Sequence, residues 1–381
     1  MKAKIINFEL LADFENDFRE PFLQQLDKDL YKLSTQGIEI VYGLYPMEGI
    51  LPYDDIHFEE FFQKISQFSK KYGIKIILLS NLSNKFFNIQ TDFECLYFSF
   101  MLRITYNNYK KIQFNKEYNY SPNRFLFLGG VSSRKNRILL MSKFYEKDLY
   151  KSMRWSFFNP VFSEDRNLCR QILSHYSDEE YKNFIKYSDR SIDNEYREIL
   201  HYFRDSNAEN NLEWKQITKI GFFNNPIYID PINYSTTSFS IVSEGPNFWN
   251  DNWDFITEKT WKIIANKHPF IFAGHPDQFR HIKKLGFRTF ENHLPIADYA
   301  YYENEEKRLD AVVTNVQYLL KNKDIRKNLS NDVEHNFQLF LKLAKKQEKF
   351  LNKLRKKFNI SNEDFDKNFN SLGFSNLRFE I

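Results

Sequence analysis

Apolar and polar positions along the chain alternate between two periods. Short apolar runs at residues 3–8, 37–45 and 74–80 read as strands, and residues 21–33 and 57–72 between them read as helices. In the second helix Phe58, Phe61, Phe62, Ile65 and Phe68 recur at helical spacing. This alternation predicts βαβ units and hence a parallel sheet. Residues 89–120 are aromatic without a clear period, and residues 115–123 are polar with a proline, which places a domain boundary near residue 120.

A second alternating series follows. Residues 124–128 read as a strand, 129–133 as a tight loop and 134–150 as a helix with Ile138, Met141, Phe144 and Tyr145 on one face. Residues 163–203 look helical and strongly charged, an excursion from the sheet. Residues 238–243 are a strand, 257–267 a helix, 270–273 a strand and 277–285 a helix. Gly286 stands where a helix C-cap belongs, and residues 287–290 read as a further strand. Two helices, 303–320 and 325–358, close the pattern. The expectation is an α/β protein of two Rossmann-like domains, 1–120 and 121–360, with C-terminal helices and a polar tail at 361–381. Two such domains make the cleft they face the default ligand site.

Composition narrows the classes. In 381 residues, 54 Lys and Arg against 50 Asp and Glu leave a net charge of +4, and 42% of positions are apolar, which excludes wholesale disorder and a polyelectrolyte partner as the main theme. The 40 Phe and 23 Tyr beside 11 Gly invite stacking platforms, but with abundant Ile, Asn and Lys they fit an A/T-rich coding sequence better. Cys95 and Cys169 form no Cys-x-x-Cys pair and read as reduced and structural. No stretch approaches the roughly 20 apolar residues of a membrane span, nor the apolar core of a signal peptide. The expected setting is cytoplasmic, at most peripheral at the inner face of a membrane.

The C-terminal helix carries an apolar stripe of Phe337, Phe340, Ala344, Phe350, Leu351, Leu354 and Phe358, and residues 342–357 hold eight Lys or Arg against one Glu. Helix 337–358 either meets an anionic membrane or nucleic acid, or packs its stripe back on the protein and solvates its lysines; packing is favoured.

Chemistry concentrates in two places. In the first, the apolar run 239–243 ends in Glu244, a loop follows, and Thr257 can cap a helix whose first turn holds Glu258 and Lys259. Glu258 complements the positive end of the helix dipole; Lys259 opposes it, and makes sense beside a bound anion. A carboxylate there can accept from the two vicinal hydroxyls of a ribose, so the pair suits a nucleoside diphosphate; a solvated Glu/Lys pair is the alternative. The second place is Gly129-Gly130-Val131-Ser132-Ser133 leading to Arg134, Lys135 and Arg137, again three cations against a helix dipole.

Ser243-Glu244, Phe255-Ile-Thr-Glu258-Lys259 and the run from Lys262 to His268-Pro-Phe-Ile together resemble the donor-binding signature of α1,3-fucosyltransferase-type glycosyltransferases and related bacterial and viral proteins. The strand-turn-helix containing Arg137 and the run 285–290 extend that resemblance, which covers mainly residues 124–320. It implies a two-domain (GT-B) transferase, with a nucleotide sugar, GDP- or UDP-linked, as co-substrate and no cofactor or metal site. The implied donor-binding set is Lys135, Arg137, Glu244, Asn247, Phe255, Thr257, Glu258 and Lys259, with Glu258 on the ribose and Lys259 and Arg137 on the diphosphate. This chain departs from the family at Gly245, usually Asn, and at Phe255, often Tyr.

An inverting transfer also needs a base for the acceptor hydroxyl, expected at the carboxyl ends of the first domain's strands. Asp54, Asp55 and Glu94 are the candidates, with Glu48 and Asp92 nearby. His268, His275 and His281 lack a ligand spacing and read as core or surface residues, and Asp364-Phe-Asp366 reads as solvated tail. Trp249 and Trp253 either stack on a ligand or pack over the strand ends. The expected reaction is sugar transfer to a glycan, a lipid-linked sugar or another biopolymer, a hydroxymethylated base of viral DNA being one variant. A non-catalytic transferase-like module, a lectin or a membrane-surface adaptor, is the rival.

Overall fold

The computed structural model describes residues 2–7, 19–45, 55–80, 94–111, 124–131, 135–158, 163–188, 231–244, 256–322 and 324–358. These residues form two compact units. The first takes the described residues up to Arg103 together with 343–358, and the second takes 104–244 and 256–342. The sequence pattern assigns the last helix wholly to the second domain, whereas its final part belongs with the first unit.

In the first unit β1 (Ala3–Asn7), α1 (Arg19–Thr35), β2 (Ile40–Tyr45), α2 (Asp55–Tyr72), β3 (Lys75–Ser80) and β4 (Glu94–Tyr97) alternate. The four strands are parallel and lie in chain order, β1-β2-β3-β4. Leu23, Leu26, Leu30 and Leu33 put one face of α1 into the core, and Ile76, Ile77, Leu78 and Leu79 are all buried, as in a parallel sheet covered on both faces. Alternate residues Ile40, Tyr42, Ile77 and Leu79 share a cluster with Phe98, Phe100, Leu351 and Leu354. Residues 351 and 354, from the last described helix, thus complete the core begun by the first strands. Residues 89–120, unassigned from the pattern, contain β4 and α3 (Phe100–Lys111).

The second unit holds β5 (Phe125–Val131), α4 (Lys135–Glu146), β6 (Met153–Phe158), α5 (Ser163–Ile172), α6 (Asp178–Ser188), α7 (Pro231–Ser235), β7 (Phe239–Val242), α8 (Glu258–Ala265), β8 (Phe270–Phe272), α9 (Pro276–Lys284), α10 (Glu305–Lys321), α11 (Ile325–Asn328) and the start of α12 (Ser330–Phe358). Its sheet is parallel with order β6-β5-β7-β8. The chain runs outward from β5 to β6, then returns to the other side of β5 for β7 and β8. Aromatic packing holds the centre: Phe125 stacks on Phe239 with ring centroids 5.7 Å apart, and Phe144 of α4 stands edge-on to Phe125 and Phe127.

Several expected elements differ. β6 was not anticipated, although Met153, Trp155 and Phe157 alternate and are buried. The expected loop at 129–133 is strand up to Val131, with a register shift between Leu128 and Gly130. Gly129 is the extra residue, and a Cβ there would meet the Phe127 ring at 3.0 Å and the Phe157 ring at 3.2 Å. Residues 287–290 form no strand, because the side chain of Asn336 takes both backbone groups of Arg288, accepting from its N–H at 2.7 Å and donating to its carbonyl at 2.8 Å. The expected helix 134–150 stops at Glu146, and the helix expected over 325–358 divides at Leu329. Among the described residues, no helix is long and apolar enough to cross a membrane.

Candidate functional site

Where neighbouring connections leave a parallel sheet in opposite directions, a crevice opens at the carboxyl ends of the strands. In the second unit that place lies between β5 and β7, and Arg137, Glu244, Thr257, Glu258 and Lys259 of the sequence-derived set stand there. α4 and α8 both begin at this end of the sheet, so two helix N-termini border it.

Thr257 caps α8: its backbone is extended (φ −84°, ψ 177°) and its hydroxyl accepts from the Lys259 N–H at 3.3 Å. The same hydroxyl donates to Glu244 Oε2 at 2.6 Å. Glu244 follows β7, is fully buried, and also accepts from the Thr260 hydroxyl at 2.5 Å and the Thr257 N–H at 3.3 Å. One carboxyl therefore ties the end of β7 to the first turn of α8. On the other side, Asn136 Nδ2 donates to the Glu244 carbonyl at 3.0 Å, and Arg137 Nη2 to the Ser243 carbonyl at 3.4 Å. Both side chains belong to buried residues in the first turn of α4.

Glu258 and Lys259 are paired, Lys259 Nζ lying 2.7 Å from Glu258 Oε1, with side chains 12% and 22% exposed. Burial alone would push the Glu258 carboxyl up, but the charges of Lys259 and Lys262 and the Lys259 hydrogen bond hold it below the ordinary value. Burial wins at Glu244 and raises its carboxyl, against the opposing pull of Lys259 and the two threonine hydroxyls. Asn136 Oδ1 and the Ser243 hydroxyl are buried and have no hydrogen-bond partner among the described residues. Two helix N-termini, the side chains of Arg137 and Lys259 and these polar atoms thus stand together, and groups of this kind can meet an anion.

The structure does not bring every expected residue here. Lys135 opens α4 but is 65% exposed and lies 3.5 Å from Glu305 of α10. Asn247 and Phe255, with Trp249 and Trp253, lie outside the described residues, as do Asp54, Glu48, Asp92, Asp364 and Asp366. Asp55 is the first residue of α2, the helix that follows β2. Glu94 begins β4 at its amino end, opposite Ile77, and pairs with Lys75 at 3.0 Å; the expectation of a carboxyl-end position is corrected for this residue. Asn136, Ser243, Thr260 and Lys262 are site residues that the sequence reading did not select. Ser243 and Lys262 stand in the runs that carry the resemblance, and Thr260 lies at i+3 from the capping Thr257.

The histidines have structural places. His268 is buried, with Nδ1 2.8 Å from the Ser240 hydroxyl and Nε2 2.9 Å from the Thr237 carbonyl, and burial holds it well below its ordinary value. A carbonyl can only accept, so Nε2 carries the proton and the ring is neutral. His275 caps α9 by accepting from the Asp277 N–H at 3.2 Å. An open cavity of about 510 Å³ lies against Asn292, Leu294, Tyr318 and Ile325, and none of the strand-end residues lines it. The chain matches no protein-family model, no curated protein and no solved structure. Its site is therefore read from its own geometry.

Proposed function

We propose that this chain is a glycosyltransferase that moves a sugar from a nucleoside-diphosphate sugar to a hydroxyl acceptor, with the nucleotide held where β5, β7, α4 and α8 converge. The observation that carries the reading is the partly buried Glu258–Lys259 pair on a helix N-terminus at the point where the sheet's connections diverge. In this reading Glu258 accepts from the ribose hydroxyls, while Lys259 leaves its carboxylate neighbour to meet the diphosphate beside Arg137. The acceptor oxygen attacks the anomeric carbon and gives up its proton to a base. The bond from that carbon to the diphosphate breaks, and the electron pair leaves on an oxygen facing the two cations. A preorganised donor aimed at such developing charge contributes roughly 3–4 kcal/mol. The first unit would form the acceptor side of a two-domain GT-B enzyme, with Asp54 or Asp55 as base and the product inverted.

A second reading, a nucleotide-sugar binding module without turnover, draws on Glu94: it is engaged with Lys75 at the amino end of its strand. The two readings separate in two measurements. A thermal-shift panel of GDP, UDP, CDP, ADP and their sugars should show one responsive nucleotide family, since ligand at 100 times its Kd stabilises by about 2.7 kcal/mol. Glu258→Ala should remove that response. Donor turnover should then fall by about 100- to 1,000-fold in Lys259→Ala for the enzyme. Binding with no turnover by the native chain under any acceptor points to the module, and no response to any nucleotide overturns both.

A further inference from the structure

The apolar stripe of α12 is spent inside the protein, and what remains outside is a ridge of lysines. Leu351 and Leu354 lie in the first unit's core and Ala344 is buried, so this face is not free to enter a lipid layer. On the opposite side Lys345, Lys346, Lys349, Lys353 and Lys356 are all exposed. At about 100° per residue they fall within an arc of about 100°, and at about 1.5 Å per residue they form a line about 17 Å long. Lys345 and Lys349, Lys349 and Lys353, Lys346 and Lys349, and Lys353 and Lys356 are like-charge neighbours at i+4 or i+3, which destabilises a helix. None of the five has an ion pair or hydrogen bond among the described residues. Some exposed lysines elsewhere are paired, Lys71 with Asp27, Lys151 with Asp148 and Lys267 with Glu334, each within 2.9 Å.

We infer that this ridge is a docking surface for an anionic phospholipid layer. The choice of surface follows from the side chains. Reading the base edges of a nucleic acid favours the forked guanidinium of arginine or an amide, and the five ridge positions are all lysine. Five compact ammonium groups in a line instead suit headgroups that diffuse laterally to meet them. Because the stripe stays buried, the contact is electrostatic, shallow and reversible, which sets it apart from an inserted amphipathic helix.

The test is co-sedimentation of the full chain with vesicles of phosphatidylcholine alone and of phosphatidylcholine with phosphatidylglycerol. The chain should partition to the anionic vesicles only, and should be released as salt rises from about 0.1 M to about 1 M, where the screening length falls from about 10 Å to about 3 Å. Lysine near such a surface contributes roughly five-fold each, so Lys345→Gln/Lys349→Gln/Lys353→Gln should lower the partition constant on the order of 100-fold. These positions are exposed, and unchanged circular dichroism would show the fold intact. Lys28→Gln/Lys32→Gln, equally exposed on α1, should bind as the native chain does. Three results overturn the assignment: equal binding to neutral vesicles, native-like binding by the ridge variant, or loss of the same size in the α1 variant. Tighter, salt-sensitive retention on DNA or RNA than on vesicles also overturns it and assigns the ridge to nucleic acid.

Discussion

Glu244, fully buried, and Glu258, partly buried, stand at the same strand ends, yet their surroundings push them in opposite directions. Burial raises Glu244 above its ordinary 4.5, so the proton is bound more tightly in the folded chain than in the unfolded one. Such a group contributes stability that is full below about 4.5 and is lost as pH rises through the raised value. Glu258 is depressed, because Lys259 and Lys262 outweigh its burial; its contribution is present above about 4.5 and is lost as pH falls through the depressed value. Urea midpoints from about pH 3 to about pH 7 should therefore lose their high-pH decline in Glu244→Gln and their low-pH decline in Glu258→Gln. Glu244→Ala is a different case. It strands the hydroxyls of Thr257 and Thr260, and an unsatisfied buried polar group costs about 1–3 kcal/mol. Glu244→Gln keeps an acceptor and the threonine hydroxyls can rotate, so its cost at acid pH should be the smaller of the two. Equal costs would remove Glu244 as the anchor of α8.

At the scale of elements, helix ends were the most legible features because their chemistry is local. Thr257 was expected to cap α8 and does, and Gly286 was expected to end α9 and lies at φ +96°. Thr257→Ala should cost about 1 kcal/mol as a lost cap, and more if the carboxyl of Glu244 is left with one hydroxyl fewer. Gly286→Ala forces a side chain into a conformation that costs an L-residue about 1–2 kcal/mol, with its Cβ 3.3 Å from Leu339. Both shifts are read in chemical denaturation, and a neutral Gly286→Ala would mean that α9 can end elsewhere. Strands were less legible where their partners lay far away. Residues 287–290 have the composition of a strand, but Asn336, distant in sequence, satisfies Arg288 in place of a neighbouring strand. β6 alternates plainly, yet it follows a helix and precedes a charged segment, and that context disguised it.

For the whole molecule, the consequential arrangement is the packing of the last described helix with the first strands. Leu351 and Leu354 pack with Ile40, Tyr42, Ile77 and Leu79, so the first unit has no complete core without the last described helix. Leu351→Ala should destabilise by about 2–5 kcal/mol, the range for a buried leucine replaced by a small residue. Its unfolding should be followed by a probe in the first unit, and an unchanged midpoint there would mean that α12 only lies beside that sheet. The arrangement also shows that the apolar face of α12 is consumed by packing, which leaves its charged face exposed.

The sequence by itself determined the alternation of strands and helices, the parallel α/β class, the cap at Thr257 and the place of Glu258 and Lys259 in a first turn. These depend on residues within a turn or two of each other, and periodicity records them directly. Only the tertiary structure decided the strand order β6-β5-β7-β8 and the meeting of Asn136 and Arg137 with the end of β7. It also decided that Lys135 turns to Glu305 and that Glu94 stands at the amino end of its strand. Each of these is a contact between segments distant in sequence. Hydrophobic pattern says which face of an element is buried, but it carries no record of which partner buries it.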